Sequence, residues 1–197
     1  MKVGVINTAS ANLNSVCQAL KRLKCEVIIS DEVSVLKNQD KLILPGVGTA
    51  VAAMSVFNEK ADLLDFVLNT KKDVLGICLG MQIMTTESYE SADNSAIKTL
   101  NIIKGTVKKL DVPKVPHMGW NQITHNNHPI FKDIANNSFF YFVHSFAVDV
   151  NENTIAKCNY YVDFSAAVAK DNFIGVQFHP EKSGPLGRKL LNNFLNL

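Results

Sequence analysis

Short aliphatic and β-branched runs alternate with stretches of helical periodicity through the first half of the chain. Four such runs predict strands at Lys2–Ile6, Glu26–Ile29, Lys41–Leu44 and Val74–Cys78. Apolar residues three or four positions apart lie between them and indicate crossover helices. Strands and helices that alternate in this way pack as a parallel sheet between helical layers. The pattern therefore predicts an α/β fold with a central, mostly parallel sheet.

The second half of the chain has a different pattern. The polar stretch Tyr89–Ala96 is predicted to be a surface loop, and Leu186–Leu195 a closing amphipathic helix. Asp171-Asn172 fits a two-residue hairpin turn. No linker or repeat interrupts the chain, so residues 1–197 are expected to form one domain whose halves share a mixed sheet. The strand candidates of this half are Ile102–Leu110, Phe139–Val148, Thr154–Tyr160, Ser165–Ala169 and Phe173–Phe178.

Composition excludes several classes of function. The formal net charge is +2 with the signs interspersed, which argues against nucleic acid as a partner. No apolar stretch approaches the roughly 18 residues of a membrane span, and the N-terminus lacks a signal-peptide core. We therefore expect a cytoplasmic protein with no membrane association.

The four cysteines are widely spaced, so neither a disulfide framework nor a zinc site is indicated, and no metal or cofactor is expected.

The strongest local motif is a cysteine between glycines where a buried strand gives way to a helix, Gly76-Ile77-Cys78-Leu79-Gly80. A nucleophile on a sharp strand-to-helix turn needs small residues two positions away on either side. The helix N-terminus favours the thiolate form of Cys78. The N–H of Leu79 is placed to stabilise an oxyanion. A buried cysteine flanked by packing glycines is the alternative.

Two further motifs follow other predicted strands. Pro45-Gly46-Val47-Gly48 comes after the third strand, and its glycines let backbone N–H groups turn towards a ligand, although an ordinary turn has the same composition. His179-Pro180-Glu181 follows the last strand, and an imidazole oriented by a carboxylate is what a thiol nucleophile requires. In an extended chain His179 and Glu181 project to the same side. A surface pair and a metal site are the alternatives, but the cysteine pair of zinc deaminases is missing after Cys158.

The other histidines divide into two groups. His125 and His128 lie in a polar segment and are predicted to be solvated loop residues. His117 and His144 adjoin aromatic clusters, where packing and ligand binding are both compatible with the sequence.

These motifs, in this order and in a chain of this length, resemble the triad (class I) glutamine amidotransferases. Within that class the chain is similar from end to end to the glutaminase subunits of imidazole glycerol phosphate synthase, an enzyme of histidine biosynthesis. The segments that carry the resemblance are 11–16, 44–48, 76–82, Pro116-His117-Met118-Gly119-Trp120-Asn121, 141–145 and 175–184.

The resemblance implies a flavodoxin-like three-layer fold and specific roles for individual residues. Cys78 would attack the glutamine carboxamide, with His179 and Glu181 as the acid–base pair. The oxyanion hole would be formed by the N–H groups of Val47 and Leu79. Substrate contacts are implied for Gly46, Gly48, Gln82, Ser145 and Phe146, of which Phe146 replaces a tyrosine common in relatives.

The resemblance also implies a partner. Ammonia would pass to a cyclase subunit, a (β/α)8 barrel, in a heterodimer that makes imidazole glycerol phosphate and aminoimidazole carboxamide ribotide. Trp120 and Asn12 would lie at this interface, with Trp120 as a candidate gate. Two alternatives remain at this point: a glutaminase subunit serving vitamin B6, anthranilate or guanine nucleotide synthesis, and a non-catalytic flavodoxin-like binding protein.

Overall fold

A computed structural model describes residues 1–8, 13–46, 48–93 and 95–197. In these ranges the chain forms thirteen strands, six α-helices and two short 3-10 helices. The strands are β1 (Lys2–Ile6), β2 (Glu26–Ser30), β3 (Lys41–Leu44), β4 (Val74–Ile77), β5 (Glu87–Ser88), β6 (Ile97–Lys98), β7 (Thr106–Lys109), β8 (His117–His125), β9 (Ser138–His144), β10 (Phe146–Val148), β11 (Thr154–Tyr160), β12 (Val162–Lys170) and β13 (Phe173–Val176). The helices are α1 (Asn14–Arg22), α2 (Val33–Leu36), α3 (Ala50–Glu59), α4 (Ala61–Asn69), α5 (Leu79–Ile83) and α6 (Gly184–Leu195), with 3-10 turns at Pro129–Phe131 and Pro180–Lys182.

Nine strands form one mixed sheet in the order β2-β1-β3-β4-β13-β12-β11-β8-β9. The pairs from β2 to β13 are parallel, and those from β13 to β9 are antiparallel. The prediction of a central mixed sheet shared by both halves is confirmed. A separate four-stranded sheet, in the order β10-β7-β5-β6, was not predicted.

Helices cover both faces of the parallel part of the sheet. Residues of α1 and α6 pack with Val3, Val5 and Ile43 in one core cluster. Residues of α3 and α4 pack with Leu42 and Leu44 in the other. Because neighbouring strand residues face opposite sides, these short, fully buried strands supply both clusters at once. The three-layer architecture follows. In the part of the chain that the structure describes, no helix has the length and apolarity needed to cross a bilayer.

The second half departs from the prediction at two predicted strands and at one strand that was not predicted. Phe139–Val148 is not one strand: β9 pairs with β8 in the large sheet and β10 pairs with β7 in the small one, with a break at Ser145. The chain changes sheets there, and local apolarity does not reveal such a change. Ile102–Leu110 forms a strand only over Thr106–Lys109. The long strand β8 was missed because its hydrophobicity does not alternate although its burial does: Met118 and Trp120 are exposed, and the inward positions include Gly119 and Asn121.

Candidate active site

Cys78 occupies a strained turn between strand β4 and helix α5. Its φ of 52° and ψ of −109° are unusual for a residue with a side chain. Its backbone N–H donates to the carbonyl of Val176 at 2.7 Å, and its carbonyl accepts from the N–H of Gln82 at 3.1 Å. Neighbouring strand and helix thus hold the turn, as a nucleophile elbow requires. Leu79 is the first residue of α5, where backbone N–H groups lack intrahelical acceptors.

The glycines around this turn are required by close backbone approach. A Cβ on Gly76 would lie 2.7 Å from the carbonyl carbon of Gly80. A Cβ on Gly80 would lie 1.9 Å from the carbonyl oxygen of Leu44, and one on Gly46 would lie 1.7 Å from that of Ile77. Real Cβ atoms do not approach so closely. The ends of β3 and β4 therefore depend on glycine at 46, 76 and 80 to meet.

His179 and Glu181 form a buried pair beside the elbow. His179 Nδ1 lies 2.8 Å from Glu181 Oε1, and the two side chains are only 6% and 4% exposed. The pair is made by the 3-10 turn Pro180–Lys182, so the predicted extended geometry is wrong although the pairing is right. Since the carboxylate accepts from Nδ1, Nε2 is left for proton exchange.

Burial alone lowers the pKa of His179, but the Cys78 sulfur and the Glu181 carboxylate outweigh it and raise this pKa to about 9. Such a raised pKa favours the imidazolium form of His179 at neutral pH.

Both Cys78 and His179 open onto one cavity of about 270 Å³. Besides Cys78 and His179, its lining includes one acidic side chain, Glu90, and one lysine, Lys182. The other residues that line it are Gly46, Gly48, Leu79, Gln82, Val143, His144, Ser145 and Phe146. A strained cysteine, a buried histidine–carboxylate pair and a helix N-terminus thus meet at a space that holds a small molecule.

The family described as "Glutamine amidotransferase class-I" matches residues 4–197. The chain belongs to this family. It is 49% identical to the "Imidazole glycerol phosphate synthase subunit HisH" of Pectobacterium atrosepticum over 100% of both chains. With the subunit of that name from Colwellia psychrerythraea it is 47% identical, over 98% of this chain and 92% of the relative. A crystal structure of a glutamine amidotransferase shares the fold, with a TM-score of 0.74 at 18% identity, covering 98% of this chain and 97% of that chain.

The full-length matches place the chain in the HisH family of the class-I glutamine amidotransferases. The resemblance drawn from the motifs and the three-layer fold that it implied are confirmed. The chain is therefore a glutamine amidotransferase, and the non-catalytic binding protein is no longer an alternative.

The structure brings together most of the side chains that the sequence singled out in this amidotransferase. The predicted nucleophile, acid–base, oxyanion and substrate residues all lie at or beside the cavity, except for the oxyanion residue Val47, which lies outside the described residues. Asn12 also lies outside them. Trp120 does not line the cavity; it lies on β8 with 56% of its surface exposed.

Glu90 lines the amidotransferase cavity although it lies in the stretch predicted to be a surface loop. Its carboxylate accepts the backbone N–H of Ala50, the first residue of α3, at 3.1 Å. Burial raises the pKa of Glu90, and the Ala50 hydrogen bond partly opposes this. No sequence signal distinguishes it from a solvated glutamate, because its burial depends on the distant helix α3.

His117 and His144, for which the sequence allowed packing or ligand binding, form a buried hydrogen-bonded pair, and His144 also lines the cavity. Their Nδ1 and Nε2 atoms are 3.0 Å apart. The His117 ring stacks between Phe142 at 4.8 Å and Tyr160 at 4.1 Å. Burial lowers the pKa of His117 to about 4. Burial is also the largest of the causes that lower the pKa of His144 to about 3. Both rings are therefore neutral near pH 7.

Other predicted side chains have structural surroundings. The prediction of a solvated His125 is wrong, because its ring stacks on Phe131 at 4.6 Å and its Nε2 lies 2.9 Å from the carbonyl oxygen of Ile134. His128 accepts the N–H of Ile130 at the start of a 3-10 turn. Among the described residues, no group of three or more His, Cys, Asp or Glu is placed to hold a metal ion.

The remaining three cysteines are buried free thiols, like Cys78, but do not line the cavity. Burial raises the pKa of Cys17 and Cys25, and burial together with Asp163 raises that of Cys158 to about 12. These three cysteines are therefore thiols at neutral pH.

Proposed function

We propose that the chain, as one cytoplasmic domain of residues 1–197, hydrolyses glutamine to glutamate and ammonia through Cys78, His179 and Glu181. One observation carries this assignment: the strained Cys78 and the buried His179–Glu181 pair open onto a single cavity. The relatives are named as subunits of imidazole glycerol phosphate synthase, and the ammonia is proposed to serve that synthesis, in histidine biosynthesis.

In the first step the Cys78 thiolate attacks the glutamine carboxamide carbon, and the carbonyl electrons move to oxygen. The Leu79 N–H, at the N-terminus of α5, stabilises this oxyanion, and Val47 is the proposed second donor. His179 then protonates the nitrogen, the C–N bond breaks and ammonia leaves. In the second step His179 takes a proton from water, which attacks the thioester and releases glutamate. Glu181 holds the imidazole in the required tautomer throughout.

The cavity also fits the charges of an amino acid. Glutamine carries an ammonium and a carboxylate on its α-carbon, and Glu90 and Lys182 supply the opposite charges. A bound ammonium compensates the cost of burying the Glu90 carboxylate. Both N–H groups of the Gln82 amide are engaged, by the Phe146 carbonyl at 2.8 Å and the Gln177 oxygen at 2.9 Å. The Gln82 oxygen is therefore left to accept from the substrate.

Replacing Glu90 with glutamine should raise KM for glutamine by roughly 10- to 100-fold, with little change in kcat. This is the loss of affinity expected when one charge-assisted hydrogen bond is removed. Glu87→Gln is a matched control, since Glu87 lies on β5 and does not line the cavity. Steady-state kinetics of glutamate release measure both parameters. An unchanged KM in Glu90→Gln would assign the ammonium to another group.

We propose that a cyclase subunit with a (β/α)8 barrel docks on the exposed face of strands β8 and β9. This face carries Met118, Trp120 and Phe139, which are 62%, 56% and 49% exposed. Cross-strand pairing sets Met118 beside Val143 and Trp120 beside Tyr141. Exposed apolar clusters of this kind mark interaction sites. Because Val143 also lines the cavity, a partner seated here would receive ammonia close to where it forms.

Trp120→Ala should weaken binding of the cyclase subunit by about tenfold or more, because buried tryptophans dominate interface energies. Tyr161→Ala is the control, as Tyr161 is 67% exposed in the turn between β11 and β12. Titration of glutaminase activity with the cyclase measures the apparent Kd and the maximal stimulation. Normal affinity and coupling in Trp120→Ala would rule out both docking and gating by this side chain.

The assignment as a whole is tested by glutamate release from glutamine, with the chain alone and with a cyclase subunit and its ribonucleotide. Strong stimulation by that pair is expected. Glutaminase activity that does not depend on the cyclase would indicate another ammonia acceptor. The absence of activity in every combination would overturn the proposal.

A further inference from the structure

Gln177 is buried completely, two residues before His179, and its amide contacts the nucleophile. Its Nε2 lies 3.6 Å from the sulfur of Cys78, a hydrogen-bond distance for sulfur. The backbone N–H of Gln177 donates to the carbonyl of Ala166 at 2.9 Å, which ties this segment to strand β12. We propose that Gln177 is a further catalytic residue, whose side-chain N–H stabilises the Cys78 thiolate in the glutaminase reaction proposed above.

The orientation of this amide is dictated by its neighbours. A backbone carbonyl can only accept, so Gln82 Nε2, 2.8 Å from the Phe146 oxygen, must be the donor there. The same nitrogen lies 2.9 Å from Gln177 Oε1. Rotating the Gln177 amide by 180° would set two N–H groups against each other. The N–H of Gln177 is therefore directed at the sulfur.

A second set of hydrogen bonds fixes the position of the Phe146 carbonyl. His144 Nδ1, 2.8 Å from this oxygen, must carry a proton, so the neutral ring accepts at Nε2. His117 Nδ1 therefore donates to His144 at 3.0 Å, and His117 Nε2 accepts from Asn121 at 3.2 Å. Each tautomer follows from the one before it. These hydrogen bonds connect strand β8 to the Phe146 carbonyl, which orients the amide of Gln82. The Gln82 amide in turn orients that of Gln177.

A donor at sulfur acts on specific steps of the reaction. It stabilises the free thiolate before attack and again when the thiolate leaves the thioester during hydrolysis. In the thioester itself the sulfur is a weak acceptor, so the same N–H contributes little there. Loss of the donor should therefore reduce the fraction of thiolate and slow release of the acyl group.

The test measures alkylation of Cys78 by iodoacetamide as a function of pH, followed by mass spectrometry of the full chain. Gln177→Met keeps the length of the side chain and removes its donor. The midpoint of the rate profile should move upward by about one pH unit, the order of one weak hydrogen bond to a charged group. Gln177→Glu, which sets a carboxylate beside the sulfur, should shift it further. An unchanged midpoint in Gln177→Met would overturn the proposal.

Gln39→Met is the matched control, because Gln39 is also buried but donates to the carbonyl of Val35, and neither residue lines the cavity. Its profile should match the wild type. If Gln177→Met does not fold by circular dichroism, Gln177→Asn keeps the amide but withdraws it from the sulfur, and the same upward shift is expected. A wild-type midpoint in folded Gln177→Asn would also overturn the proposal. Alkylation needs no glutamine, so failure of the glutaminase assignment would be seen separately, as absent glutamate release.

Discussion

Cys78→Ala is expected to lower partner-stimulated glutamate release by roughly 10⁴-fold or more, as removal of a nucleophile does in other hydrolases. Among the residues that the structure describes, no second cysteine lines the cavity to replace it. The other three cysteines do not line the cavity, and their raised pKa values keep them as thiols at neutral pH. Glutamate release with saturating cyclase and ribonucleotide measures the loss. Activity near that of the wild type would exclude a Cys78 thioester.

The controls for this prediction come from the same site and the same residue type. Cys158→Ala should keep nearly full activity, because this buried thiol lies outside the cavity. The His179→Ala variant should lose a comparable fraction of its glutaminase activity. The double variant Cys78→Ala/His179→Ala should be no less active than either single variant. Losses that instead multiply in the double variant would mean that the two groups act independently.

The parts of this site that the sequence predicted depend on local chemistry. The glycines around Cys78 reflect a tight turn, and the short apolar strand β4 reflects burial on both faces. Both features leave a pattern within a few residues. The His179–Glu181 pair was found for the same reason, although a 3-10 turn rather than an extended strand makes it.

The parts that were missed depend on contacts between distant segments. Glu90 is partly buried because its loop meets the start of α3, 40 residues earlier in the chain. Gln177 reaches the sulfur of a residue 99 positions away. The break at Ser145 arises because β9 and β10 join different sheets. None of these contacts has a local signal, so periodicity and composition do not reveal them.

Gly80→Ala should reduce glutamate release by about 100-fold, the scale of a 1 Å misplacement of catalytic groups. The added Cβ would lie 1.9 Å from the carbonyl oxygen of Leu44, a backbone atom that cannot rotate away. The end of β3 and the adjoining Gly46 must therefore move away from the turn at Cys78. The free energy of unfolding should also fall, by about 1–3 kcal/mol, as in other overpacked cores. Activity assays and urea unfolding measure the two effects.

Gly4→Ala separates this effect from the general cost of a methyl group in a buried strand. The three atoms nearest to its Cβ would all be side-chain atoms, of Leu36, Gln39 and Leu42, each at 3.0 Å. Those side chains can shift by a few tenths of an ångström, so Gly4→Ala should lose some stability and keep its activity. If Gly80→Ala kept full activity, the end of β3 would be free to move without disturbing the cavity. A loss confined to Gly80→Ala would instead show that close approach of the two strand ends sets the geometry in which Cys78 reacts.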